Sequence, residues 1–217
     1  GECVMTLDVG SEVYGLAFCD GEIIAVCEDG IWLNGSMIEV QISKPVYPPM
    51  IVSGTIYVAA GKTLYSMDME TMELLDMVFS ANLSASPCAA GDDIVVVDEL
   101  AVHYISAGVE LWNHSIFAAK GVSYTSDQII VTHGSGLIVF DTQGNIEYSI
   151  DLGGAVHAPP CIMNNRAYVT YDIGWEEGVM LACINLASGN TVWYETVEMG
   201  FNSSSHVQPV GCRSGIY

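Results

Sequence analysis

One apolar hairpin recurs along the chain. "GTIYVAAGKTLYSMD" (54–68) sets Ile56, Tyr57 and Val58 in one run, turns at Gly61-Lys62, and ends a second short run at Asp68. Versions of it return as "DDIVVVDELAVHYIS" (92–106), "DQIIVTHGSGLIVFD" (127–141) and "NRAYVTYDIGWEEGVMLACIN" (165–185). A unit that repeats at a fixed period constrains the fold more than any local propensity, because each copy needs its neighbours to bury its apolar surface. Five copies align, at 13–42, 47–79, 86–116, 122–151 and 157–197. Several open on a small or proline-containing stretch ("YPPMIVSG", "SASPCAAGD", "HAPPCIMNN"). Each continues as turn, apolar strand, variable loop, third strand, tight turn and fourth strand. Four strands every roughly 33 to 50 residues is the period of a propeller blade. The expectation is an all-β fold: a β-propeller of four-stranded antiparallel blades, with 1–217 as a single domain.

The residue pattern within a copy agrees. "IVVV" (94–97) is apolar at consecutive positions, where a sheet buried on one face alone would alternate. The stretch "MDMETMELLDM" (67–77) has helix-forming composition, but its place in the repeat predicts strand–turn–strand. Mean hydropathy is high, at +0.38, yet apolar residues come in short runs bounded by Gly, Asp, Asn and Pro. None approaches the roughly 18 consecutive apolar residues of a membrane helix.

A second signature lies in the turn between third and fourth strands. Gly189 is followed four residues later by Trp193 in "INLASGNTVW"; Gly108 and Trp112, and Gly144 and Tyr148, keep that spacing. A glycine supplies the positive φ of the turn, and the aromatic is placed to cap the space between blades. On these residues the sequence resembles the PQQ-like quinoprotein β-propeller repeat, whose motif runs Leu-Asp/Asn-x-x-Thr/Ser-Gly-x-x-x-Trp. Residues 184–193 match it closely. Residues 67–76 keep Asp68 and Thr71 but carry Met72 for the glycine and Asp76 for the tryptophan.

The chain's ends fit the same frame. "VQPVGCRSGIY" (207–217) begins a sixth repeat, and "ECVMTLDVGS" (2–11) reads like the last strand of a blade. Either 206–217 with 2–9 form a closing or partial blade, or the chain is part of a propeller with seven or eight blades. The second is favoured, since nothing marks Tyr217 as a natural end.

Charge and cysteines bound the function. The 26 acidic residues against 5 basic ones give a net charge of −21. Such a surface repels phosphate backbones and anionic lipid, which argues against nucleic-acid and membrane-surface binding and favours cations or cationic partners. Seven cysteines cannot all pair with one another, and none stands in a CxxC or paired metal-ligand spacing. Cys88, Cys161 and Cys212 occupy matching repeat positions, as small apolar residues on an inner strand. Four asparagines, Asn34, Asn82, Asn113 and Asn202, begin N-x-[ST] sequons. Their number points to N-glycosylation, and so to an extracellular or cell-surface location.

In a propeller, the lead-in to each blade and the loop between its second and third strands share one face, around the channel mouth. That mapping gathers His157, His206, His133, Asp172, Glu176 and Glu177, a candidate site for a divalent cation such as calcium or zinc. Glu28, Asp29, Asp98 and Glu99 join them on the same face. Ordinary polar loops account for the same residues. Trp175, in the longest loop "YDIGWEEG" (171–178), is a candidate ligand or partner contact, since an exposed aromatic between acids suits carbohydrate stacking or a cationic partner. The resemblance implies that cofactor-using relatives carry a vicinal Cys-Cys pair over the quinone. No two cysteines are adjacent here, so a PQQ dehydrogenase is disfavoured. The reading is a non-enzymatic binding or assembly scaffold at the cell surface, working through protein partners or self-association by strand edges. A ligand- or cation-binding sensor using the acidic mouth is the alternative.

Overall fold

Short apolar runs punctuated by glycine and asparagine favour antiparallel hairpins, and the computed structural model is built from them. It describes residues 8–19, 21–33, 35–174, 178–197, 209, 211–212 and 215–216. The first sheet runs β1 (Val13–Cys19), β2 (Glu22–Cys27), β3 (Gly30–Leu33), β4 (Ser36–Glu39) in that order. The second is β5 (Met50–Val52), β6 (Thr55–Ala60), β7 (Thr63–Asp68), β8 (Leu74–Val78). The third is β9 (Cys88–Ala90), β10 (Asp93–Val97), β11 (Ala101–Ser106), β12 (Val109–Ser115). The fourth is β13 (Ala119–Tyr124), β14 (Gln128–His133), β15 (Gly136–Asp141), β16 (Ile146–Asp151). Each is a four-stranded antiparallel meander, as the repeat predicts. Residues 67–77 form the end of β7, a turn and most of β8.

The fifth sheet differs in one respect. Its inner strand is broken into β17 (Ala155–Val156) and β18 (Cys161–Met163), both paired with β19 (Arg166–Asp172), before β20 (Val179–Asn185) and β21 (Asn190–Val197). Pro159 and Pro160 fall in the gap and have no N–H for the ladder. A short two-stranded hairpin pairs β22 (Gly211–Cys212) with β23 (Gly215–Ile216). Among the described residues no helix is long and apolar enough to cross a membrane.

The chain divides into two compact units, Gly1–Ser86 and Pro87–Tyr217. In the first, Ile24, Val26, Ile31 and Leu33 of one sheet pack with Ile56, Val58, Ala60 and Met67 of the next. In the second, Ile130, Leu137 and Val139 pack with Val169, Ala182 and Ile184. Each fully buried Val, Ile, Leu or Met among them contributes about 1.5–3 kcal/mol of transfer free energy. The lead-in prolines have a packing role. A Cβ on Gly15 would lie 2.9 Å from Pro48, and one on Gly121 2.5 Å from Pro159, so each inner strand is bare where the next blade's proline presses on it. No disulfide joins the described cysteines: Cys19, Cys27, Cys88, Cys161 and Cys183 are all thiols. Burial raises the Cys27 thiol, with the Asp29 carboxylate adding to it, and pushes Cys88 up to about 11.

The glycine–aromatic spacing resolves into a seam between successive blades. Trp112 of β12 donates from Nε1 to the Thr142 carbonyl at 3.1 Å, and its ring stacks on Tyr104. A Cβ on Gly144 would stand 2.8 Å from that indole. One blade on, the Tyr148 hydroxyl donates to the Leu186 carbonyl at 2.6 Å, and a Cβ on Gly189 would lie 3.0 Å from its ring. The aromatic of one blade therefore lies on the glycine turn of the next. The same turns are held by an Asx acceptor. Asp68 Oδ1 accepts from Glu70 N and Thr71 N, Asp141 Oδ1 from Gln143 N and Asn145 N, and Asn185 Oδ1 from Ala187 N and Ser188 N. Hydrogen bonds from the Thr71 backbone and hydroxyl hold Asp68 below the usual carboxylate range. The Asn145 side-chain amide and backbone do the same for Asp141. Where the motif loses its glycine, Met72 still takes φ 61°.

Gly144 sits at φ 85° beneath the Trp112 ring. Gly144→Ala adds both a left-handed alanine and a clash, and is expected to cost about 2–4 kcal/mol, read as a lower urea midpoint with little change in slope. An unchanged midpoint would contradict this account of the seam.

Candidate functional site

The loops between second and third strands carry acids in several blades, Glu28 and Asp29 in the first sheet and Asp98 and Glu99 in the third, and the second unit shows how one of them is fixed. Asp98 follows β10 and is fully buried. Its Oδ1 accepts from Leu100 N and Ala101 N, both at 2.7 Å, and closes the turn into β11. Its Oδ2 lies 3.4 Å from His103 Nε2, while His103 Nδ1 stands 2.7 Å from Glu110 Oε2. Glu110 Oε1 accepts in turn from Asn113 Nδ2 at 2.6 Å. A mostly buried imidazole thus bridges two carboxylates from a loop and an outer strand. Burial works to raise Glu110, but the Asn113 amide and His103 ring bonded to it hold it below the usual range. A carboxylate as buried as Asp98 requires such partners, because its desolvation is otherwise uncompensated. Nearby, Tyr104 donates to Asp93 Oδ2 at 2.8 Å; burial first, and that bond second, push its phenol up to about 12.

A second cluster lies where the fourth and fifth sheets meet. Pairing of Ala155 with Asp172 brings His157 Nε2 to 3.4 Å from Asp172 Oδ2, with both side chains about 70% shielded from solvent (29% and 28% exposed). His133 ends β14; burial lowers its imidazole, and the Asp151 carboxylate opposes that. The Gly134 carbonyl beside it accepts from Val156 N at 3.1 Å. Among the described residues no three His, Cys, Asp or Glu side chains stand together in reach of one metal ion, so His133, His157 and Asp172 do not form such a set. Trp175, Glu176, Glu177 and His206 lie outside the described residues, as do Asn34 and Asn202. Of the other sequons, Asn82 is half-buried between Ala81 and Leu83, and Asn113 is exposed on β12.

Sequence reasoning placed Asp98 on the mouth face but missed its partners. The signal was present. His103 sits inside "AVHYIS", a strand apolar on both faces, where an imidazole needs acidic or polar company, and the hairpin offers Asp98, Glu99 and Glu110 within seven residues of it.

The family model described as outer membrane protein assembly factor BamB matches residues 100–211, just over half of the chain. The chain belongs to that family. No curated protein sequence matches it. Among solved structures, this BamB-family chain is similar to BamB from Moraxella catarrhalis, with a TM-score of 0.71 and 14% identity, covering 93% of this chain and 67% of that one. It is also similar to a chain in the crystal structure of the mitotic checkpoint complex (TM-score 0.67, 14% identity, 87% and 68% covered). The Neurospora crassa Pan2 WD40 domain follows, at TM-score 0.61 and 12% identity, with 82% and 63% covered. At these identities the likeness is one of fold, a β-propeller, and the chain spans about two thirds of the length of each.

His103→Leu would strand the Asp98 carboxylate in the interior at a cost of about 3 kcal/mol. Pairing it with Asp98→Asn should recover part of the loss in urea unfolding. A single His103→Leu variant as stable as wild type would mean the bridge contributes nothing.

Proposed function

We propose that residues 1–217 form one propeller domain that acts as a non-enzymatic binding and assembly scaffold outside the cytoplasm. The observation that carries this reading is the membership of a family described as an outer membrane protein assembly factor, on a fold made of repeated blades. Blades of this kind leave loops and outer strands facing solvent while their inner residues are committed to packing. Two of the similar solved structures fit the same role in their own settings, one being BamB and another a chain within a checkpoint complex. The four sequons support a glycan-accessible compartment, and Asn113 stands exposed on an outer strand. Unpaired backbone on strand edges offers a route to self-association.

The test is cross-linking of the full-length protein in its own cells, with light scattering of the purified chain across a wide concentration range. The scaffold reading expects one reproducible partner or copy-to-copy links. A chain that remains monomeric throughout and links to nothing above background refutes it.

The His157–Asp172 pair favours one second reading, a cation- or ligand-sensing mouth completed by Glu176, Glu177 and His206. In that case calcium or zinc raises Tm. No shift at saturating metal ends the proposal.

A further inference from the structure

The loop after β10 and the connection from β12 to β13 run side by side. Ile116 N–H donates to the Leu100 carbonyl at 2.7 Å and Ala118 N–H to the Glu99 carbonyl at 2.9 Å. Asp98 holds the loop from within through Leu100 N and Ala101 N, and His103, whose other ring nitrogen is bonded to Glu110, faces Asp98 at 3.4 Å. From the fourth sheet, Gly134 N–H donates to the Ala118 carbonyl at 3.1 Å. Ala118 is kept at φ 57°, a conformation that residues other than glycine rarely adopt. On this fastened backbone Leu100 is 49% exposed and Phe117 is 84% exposed. Ile116, one residue before Phe117, is buried, so the phenylalanine is the residue that the connection turns outward.

We propose that Leu100 and Phe117 are the docking point for a cationic protein segment, one that sets an apolar side chain beside Lys or Arg. This deepens the scaffold reading and rests on it. Three observations select that partner. An aromatic ring this exposed has no cover within its own fastened loop, and aromatic residues are enriched at the cores of protein interfaces. Exposed Glu99 lies between the buried Asp98 and Leu100, on a chain with 26 acidic and 5 basic residues, so a segment bearing positive charge is attracted and an acidic one repelled. Finally, the backbone hydrogen bonds on both sides of each apolar residue are already made, so little ordering remains to be done on binding.

The experiment titrates the isotope-labelled full chain with a synthetic peptide of alternating leucine and lysine, and with its leucine–glutamate counterpart, following amide shifts. With the lysine peptide, saturable shifts are expected at 99–101 and 116–119. Phe117→Ala should weaken binding about tenfold. Leu75→Ala, an exposed apolar change on β8 in the other unit, should leave it unaltered. Phe117→Ala removes a side chain that is mostly in solvent and leaves the buried network intact. Shifts spread evenly over the acidic surface, equal affinity of wild type and Phe117→Ala, or equal binding of the glutamate peptide would each overturn the proposal. The two readings fail separately. A cellular cross-linking pattern unchanged in Phe117→Ala overturns this location and leaves the scaffold standing, whereas a wild-type chain that links to nothing overturns the scaffold itself.

Discussion

Everything in this fold depends on a sheet that is apolar on both faces. Ile56 and Val58 of β6, or Ile130 of β14, are buried by the neighbouring sheet and not by their own. A four-stranded meander of that kind has no stable existence alone, because both of its apolar faces would be wet. Stacking is therefore the folding event, and each blade contributes the surface that the next one needs. The seam residues follow from it: bare glycines at Gly15 and Gly121 admit the prolines, and Gly144 and Gly189 admit the rings of Trp112 and Tyr148.

This is why the architecture was legible from sequence. A repeated unit prints its packing rules several times, so the Gly-to-aromatic spacing at 108–112, 144–148 and 189–193 stood out. It identified both a turn and a contact to the following blade. The aspartate or asparagine of the motif was legible as a type but not as a device; only the structure shows Asp68, Asp141 and Asn185 gathering successive N–H groups. The break at Pro159-Pro160 was also present in the letters, but whether a proline ends a strand or interrupts it depends on what lies across the ladder.

The site was less legible, for a physical reason. Loops depart from the repeat, so they carry no second copy to check them against, and their side chains meet across strands rather than along the chain. His157 and Asp172 were placed on the same face and do stand together. His133 was grouped with them and does not complete a three-residue set among the described positions. His103 escaped notice because it sits within a core strand, where its partners are revealed by hairpin register alone. Phe117 escaped because a lone phenylalanine in a short connection looks like any other apolar residue until its exposure is known.

The buried thiols have a consequence of a different kind. Cys27 in the first unit and Cys183 in the second are shut away from solvent, and burial raises the Cys27 thiol above its ordinary value and Cys88 to about 11. A thiol must be both uncovered and ionised to react. Each unit therefore carries its own chemical clock, and the rate at which an alkylating reagent marks Cys27 or Cys183 counts how often that unit breathes open. One half of the chain can be timed against the other without adding a probe to either.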